Sequence, residues 1–197
     1  MSQLNWCTIL RMPVLAALAS ILLGCSDYQQ ARSAYAAGDY TKAYQLFQGL
    51  AESGDTKAQY DLSLMYIQGI GTKQNIEQGL VWLNRAAEKG NIEAMLELGV
   101  FYQKIDTLEN APQLALYWFE KAAMAGSAVG QYNLAHMYMD GGQIPVDLPK
   151  AYLWMSLSDA TGNPIASSQL AKLKASLTAQ ELLTTEAKIA TLKKTLP

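Results

Sequence analysis

Hydrophobic residues recur at helical spacing through most of the chain. Five of them lie at i, i+4, i+7, i+8 and i+11, which places them on one face of an α-helix. These residues are Ala58, Leu62, Met65, Tyr66 and Gly69. A second apolar face follows, next to Trp82, and consists of Leu80, Leu83, Ala86 and Ala87. The pattern therefore predicts a pair of amphipathic helices.

The helix pair repeats with a period of 36 residues. Trp82, Trp118 and Trp154 follow this spacing, and so do three further sets of residues. They are Leu62, Leu98 and Leu134, then Tyr66, Tyr102 and Tyr138, and then Gly90, Gly126 and Gly162. Internal periods of about 20–50 residues are typical of stacked supersecondary units. We therefore assign all four sets to the structural core; a ligand cage of Trp and Tyr side chains is the alternative.

A helix end and a helix start are encoded together at each repeat boundary. Glycine, which readily adopts the left-handed conformation of a helix C-terminus, stands at positions 54, 90, 126 and 162. The next residue is each time a good N-cap, and these are Asp55, Asn91, Ser127 and Asn163. The sequence thus predicts four one-residue hinges between helices.

The repeated residues resemble the motif of the Sel-1-like repeat family, a relative of tetratricopeptide repeats. In the first copy the matching residues are Ala58, Leu62, Tyr66, Gly69, Gly71, Trp82, Ala86, Ala87, Glu88 and Gly90. The resemblance implies an all-α fold, a right-handed α-solenoid of helix–turn–helix repeats with a 36-residue period. The second copy has Ile105 and Thr107 in place of the loop glycines, so the conformation of the Ile105–Pro112 loop is left open.

The domain organisation follows from this register. We predict a signal peptide over 1–24, a short unit similar to a tetratricopeptide repeat over 25–55, repeats over 56–91, 92–127 and 128–163, and a half-repeat with a capping helix over 164–197. Thr178 and Glu181 have the spacing of a capping box and predict the start of that last helix.

The N-terminus predicts a lipid anchor. The apolar segment Met12–Leu23 is shorter than the about 20 residues that a transmembrane helix needs, and it suits a signal peptide. The residues that end at Cys25 resemble the lipobox of bacterial lipoproteins, which implies lipidation of Cys25 and insertion of its acyl chains into the bilayer. The protein would then face the periplasm, and by lipoprotein sorting rules Ser26 points to the outer membrane. An unprocessed N-terminus on a cytoplasmic scaffold is the alternative.

Composition argues against several kinds of chemistry. A net charge of −2 gives no basic surface for nucleic acid, so no nucleic-acid partner is expected. One His and two Cys are too few for a zinc or iron–sulfur site, and no metal or cofactor is expected. No nucleophile and base stand in a catalytic pattern, so we predict that the protein is not an enzyme. The alternative, a hydrolase of cell-wall or β-lactam substrates, would need both groups.

One arc on the first helix of each repeat varies between copies while the core positions recur. The arc consists of Asp61, Leu64, Gln68, Glu97, Val100, Lys104, Asn133, His136 and Asp140. We predict that it docks a protein or peptide partner, with Leu64 and Val100 as apolar anchors; plain solvent exposure or packing along the inner curve is the alternative. The predicted function is a non-enzymatic, membrane-anchored adaptor. By resemblance to other lipoproteins with such repeats, it would assist assembly of an envelope complex such as an exporter.

Overall fold

The structure, a computed structural model, describes residues 27–105 and 107–197. All regular secondary structure in this part of the chain is α-helical, which confirms the predicted fold class. The predicted signal peptide, Cys25 and Ser26 lie outside the described residues. The chain forms two compact units, of which unit 1 ends at Lys89 and unit 2 begins at Gly90.

The helices follow one another with short connections. In unit 1 they are α1 (27–36), α2 (Tyr40–Ser53), α3 (Thr56–Gln68) and α4 (Ile76–Glu88). In unit 2 they are α5 (Ile92–Gln103), α6 (Ala111–Met124), α7 (Ala128–Asp140), α8 (Leu148–Ala160), α9 (Pro164–Ala175) and α10 (Ala179–Thr195). None of the described helices is long and apolar enough to cross a membrane.

The four predicted hinges are present, with the predicted glycine and cap at each, but they are two or three residues long rather than one. The Asp55 carboxylate accepts hydrogen bonds from the backbone N–H groups of Lys57 and Ala58, both at 2.9 Å. The other three predicted caps, Asn91, Ser127 and Asn163, likewise accept a backbone N–H at the start of α5, α7 and α9. Each preceding glycine has a positive φ, between 84° and 101°. Capping and glycine together therefore end one helix and begin the next within two or three residues.

The four sets of residues with the 36-residue period differ from one another in how deeply they are buried. Leu62, Leu98 and Leu134 are fully buried, and Trp82, Trp118 and Trp154 are almost so. The corresponding tyrosines, Tyr66, Tyr102 and Tyr138, are half-buried. Gly126 is half-buried, whereas Gly90 and Gly162 are exposed. These glycines therefore belong to the turns rather than to the core, because their role is to adopt a positive φ.

The last helix begins as a capping box predicts. The Glu181 backbone N–H donates to the Thr178 hydroxyl, and the Glu181 carboxylate accepts from the Thr178 backbone N–H. The Thr178 hydroxyl also donates to the Glu181 carboxylate at 2.7 Å, and this bond, followed by the one from the Thr178 backbone N–H, holds the pKa of Glu181 below its usual range. Helix α10 packs against α8 and buries Ile189, and Lys174 joins it to α9 through an ion pair with Glu186 at 3.1 Å.

Candidate functional site

The three predicted positions of the first repeat converge on one cavity of unit 1. Asp61, Leu64 and Gln68 line a space of about 250 Å³ between α1 and α3. The other lining residues are Arg32, Tyr35, Phe47 and Met65. Helical spacing explains the convergence, because residues three or four apart lie on the same face of α3. We call this space the α1–α3 cavity.

The α1–α3 cavity has an apolar floor and a polar rim. Phe47 and Met65 form the floor and are buried, while Leu64 is half-buried at the wall. Arg32 and Gln68 are exposed at the rim. Such a cavity can receive one apolar side chain and offer hydrogen bonds to the backbone that carries it.

A hydrogen bond of Asp61 links α3 to α1. The Tyr28 hydroxyl donates a hydrogen bond to the Asp61 carboxylate at 2.7 Å, and the Tyr28 ring meets Phe47 edge-on at 5.9 Å. Burial, and then the hydrogen bond to Asp61, raise the pKa of Tyr28 to about 12. The contact fixes one wall of the α1–α3 cavity.

This raised pKa predicts a loss of stability at alkaline pH. In the unfolded chain a tyrosine ionises near its ordinary pKa of about 10, whereas in the folded chain Tyr28 keeps its proton up to about pH 12. The contribution of Tyr28 is therefore fully present below pH 10 and is lost as the pH rises to 12. The thermal midpoint of the native protein should therefore fall as the pH rises from about 10 to about 12. We expect this fall to be smaller in Tyr28→Phe. Tyr40→Phe, at a ring that is 43% exposed, is the control, and an equal reduction of the fall there would contradict the assignment.

The predicted positions in unit 2 are more dispersed. Glu97 is exposed on α5, Lys104 is exposed directly after its last residue, and Asn133 is half-buried on α7. Val100 packs against the core of unit 2, which gives it a structural reason to be apolar that the sequence did not reveal.

His136 and Asp140 lie together on α7. The His136 Nδ1 atom is 3.5 Å from a carboxylate oxygen of Asp140. His136 also lines a cavity of about 440 Å³ between α7 and α9, which we call the α7–α9 cavity. Asp140 lines a smaller space of about 150 Å³ nearby.

Sequence reasoning missed several lining residues. Gln169 and Lys172 on α9, and Ser176 directly after it, line the α7–α9 cavity. Their positions are 36 residues beyond Asn133, His136 and Asp140, so extending the same register by one copy would have found them. Arg32 on α1 is 36 residues before Gln68, but the shorter α1–α2 connection shifts α1 relative to the later repeats, so that spacing alone does not place Arg32 or Tyr35.

The described residues hold no group of three or more His, Cys, Asp and Glu side chains that could bind a metal ion. The two cavities instead combine apolar floors with hydrogen-bonding rims. That combination is typical of surfaces that recognise another polypeptide.

The paired helices define the class of this protein as an all-α repeat protein. The sequence model of the Sel1 repeat matches residues 19–55, 56–91, 92–127 and 128–158, well over half of the chain. The chain belongs to the Sel1 repeat family, whose repeats act as scaffolds in protein–protein interaction and are typically non-catalytic.

Solved structures share the fold. A Sel1 repeat protein from Oxalobacter formigenes superposes with a TM-score of 0.69 at 21% identity, covering 85% of this chain and 72% of the other. A protective antigen of uropathogenic Escherichia coli with an SLR fold gives 0.66 at 28% identity, covering 85% of this chain and 38% of the other.

Curated relatives match over shorter segments. Chitin synthase regulatory factor 3 of Schizosaccharomyces pombe is 30% identical over 109 residues, which are 52% of this chain and 12% of that protein. The alginate biosynthesis protein AlgK of Azotobacter vinelandii is 34% identical over 84 residues, which are 43% of this chain and 18% of that protein. The chain thus spans less than a fifth of either relative.

Proposed function

We propose that this protein is a non-enzymatic adaptor, anchored by a lipidated Cys25 in the bacterial cell envelope, that holds a protein or peptide partner. The observation that carries the proposal is the convergence of Asp61, Leu64 and Gln68 with α1 on one cavity. On this account the protein faces the periplasm at the outer membrane and assists assembly of an envelope complex such as an exporter.

The α1–α3 cavity supplies the parts of a docking site. Full burial of one leucine-sized side chain of a partner contributes about 1.5–3 kcal/mol. The exposed Arg32 and Gln68 at the rim can bond the partner's backbone or polar side chains. Photo-crosslinking in living cells from position 64 tests this docking directly, with the exposed Gln45 on α2 as the matched control position.

The envelope location is supported by sequence. The lipobox-like residues before Cys25 support a lipid anchor, and several acyl chains on one cysteine would make anchoring stable, since one chain binds only marginally. Similarity to an alginate biosynthesis protein of a bacterium supports a role in a bacterial biosynthetic process.

Substitution of Cys25 tests the anchor. We expect the native protein in the outer-membrane fraction, with a mass that lacks residues 1–24 and includes acyl chains. Cys25→Ser should abolish both acylation and cleavage, because the serine hydroxyl replaces the acyl-accepting thiol. Cys7→Ser, which lies within the predicted signal peptide, is the control and should change neither. A native protein of full-length mass in the soluble fraction would instead indicate a cytoplasmic scaffold.

A further inference from the structure

The α7–α9 cavity is built from the same register as the α1–α3 cavity but has different chemistry. Its volume is about 440 Å³. The apolar lining residues are Met139, Leu148 and Leu173, of which Leu173 is buried. The polar lining residues are His136, Ser168, Gln169, Lys172 and Ser176. No carboxylate is among the described residues that line it.

Two side chains on its wall have unused hydrogen-bonding atoms. The Gln169 Nε2 group donates to the Tyr132 hydroxyl at 3.3 Å, and the His136 ring lies 4.6 Å from the Tyr132 ring. The Gln169 Oε1 and His136 Nε2 atoms are buried without a hydrogen-bond partner among the described residues. Buried polar atoms are rarely left unpaired in native proteins, and side chains at interfaces commonly change rotamer on binding. Both atoms can therefore accept bonds from the backbone N–H groups of an occupant.

One lysine, Lys172, lies at the α7–α9 cavity, while the carboxylate of Asp140 is beside His136 Nδ1. Lys172 is exposed on α9, and no described carboxylate pairs with its ammonium group. Lys150 and Lys174 in unit 2 pair with Asp147 and Glu186, both at 3.1 Å, whereas Lys172, like the exposed Lys193, forms no ion pair with a described residue. The unpaired Lys172 favours an occupant that brings its own carboxylate.

We propose that the α7–α9 cavity binds a peptide segment in which an apolar side chain is flanked by acidic residues. The apolar side chain enters between Met139, Leu148 and Leu173, and a flanking carboxylate pairs with Lys172. The inference rests on the protein-binding role proposed above but concerns a different cavity, so it can fail while docking at the α1–α3 cavity stands.

Binding of short peptides to the purified full chain in detergent tests this site. The probe is a fluorescein-labelled peptide with one leucine between two aspartates in a Gly/Ser context, and binding is measured by fluorescence anisotropy. Two control peptides replace the aspartates by lysines or the leucine by alanine. We expect the Asp-Leu-Asp peptide to bind more tightly than both controls.

Charge reversal at Lys172 locates the binding. We expect Lys172→Glu to weaken binding of the Asp-Leu-Asp peptide about five- to tenfold, since an ion pair is replaced by repulsion, and to strengthen binding of the Lys-flanked peptide. Lys193→Glu makes the same change in net charge at an exposed position of α10 and should change neither affinity.

Three results would overturn the assignment. They are equal binding of the acidic and basic peptides, an unchanged affinity in Lys172→Glu, and no binding of the Asp-Leu-Asp peptide. If Leu64→Glu abolishes binding and Lys172→Glu does not, the peptide occupies the α1–α3 cavity instead. That result would overturn this inference and support the proposed function. Absence of a crosslinked adduct from position 64 in cells would instead contradict only the proposed function.

Discussion

The Gly71→Ala variant is expected to lose about 3–5 kcal/mol of unfolding free energy, the sum of backbone strain and a steric clash. Gly71 has φ +71°, in the left-handed region that disfavours a side chain. A Cβ atom there would lie 2.6 Å from the Tyr40 carbonyl carbon and 3.0 Å from Met65 Cε. Because the contacted Tyr40 atoms belong to the backbone at the start of α2, the clash can be relieved only if the backbone moves.

Gly38→Ala separates the two contributions. Gly38 is in the same unit with φ +82°, and a Cβ atom there meets nothing within 4 Å. It should therefore lose only the strain, about 1–2 kcal/mol. Urea unfolding followed by circular dichroism measures both variants, and equal losses would show that Tyr40 and Gly71 are not in close contact.

The Trp118→Ala variant is expected to lose about 3–5 kcal/mol, the usual cost of removing a buried tryptophan. Trp118 is 7% exposed on α6, in the core of unit 2. The penalty is structural, because truncation leaves a cavity that the neighbouring helices cannot fill. The same urea titration measures it.

Met124→Ala on the same helix is the matched control. Met124 is 46% exposed, so its truncation should change the free energy of unfolding by no more than about 0.5 kcal/mol. If Trp118→Ala were as stable as Met124→Ala and instead lost partner binding, the tryptophans would form a ligand surface rather than a core.

The helix boundaries could be predicted because their causes are local. An Asp, Asn or Ser side chain caps the helix that it begins, and Asn91 and Ser127 do so from their own turns. The exposure of Gly90 was harder to foresee, since its 36-residue spacing matches that of the buried Trp82 and both are equally regular in sequence.

The candidate site was predicted in part, for a physical reason. Leu64 could be placed on a candidate docking arc because its own helix fixes its direction, and the structure shows a cavity there. Arg32 could not, because only the packing of α1 against α3 brings the two helices together, and that packing is non-local. Val100 has the same repeat register as Leu64 but contacts the core of unit 2, a difference set by its neighbours rather than by its position in the repeat.

Photo-crosslinking from position 64 in living cells, followed by mass spectrometry of the adducts, tests the central claim most directly. A photoreactive residue replaces Leu64 at the wall of the α1–α3 cavity or, as the control, Gln45 on the exposed face of α2. The account predicts a discrete protein adduct from position 64 and none from position 45. The same adducts from both positions, or none from position 64 while the protein is present at the membrane, would contradict it.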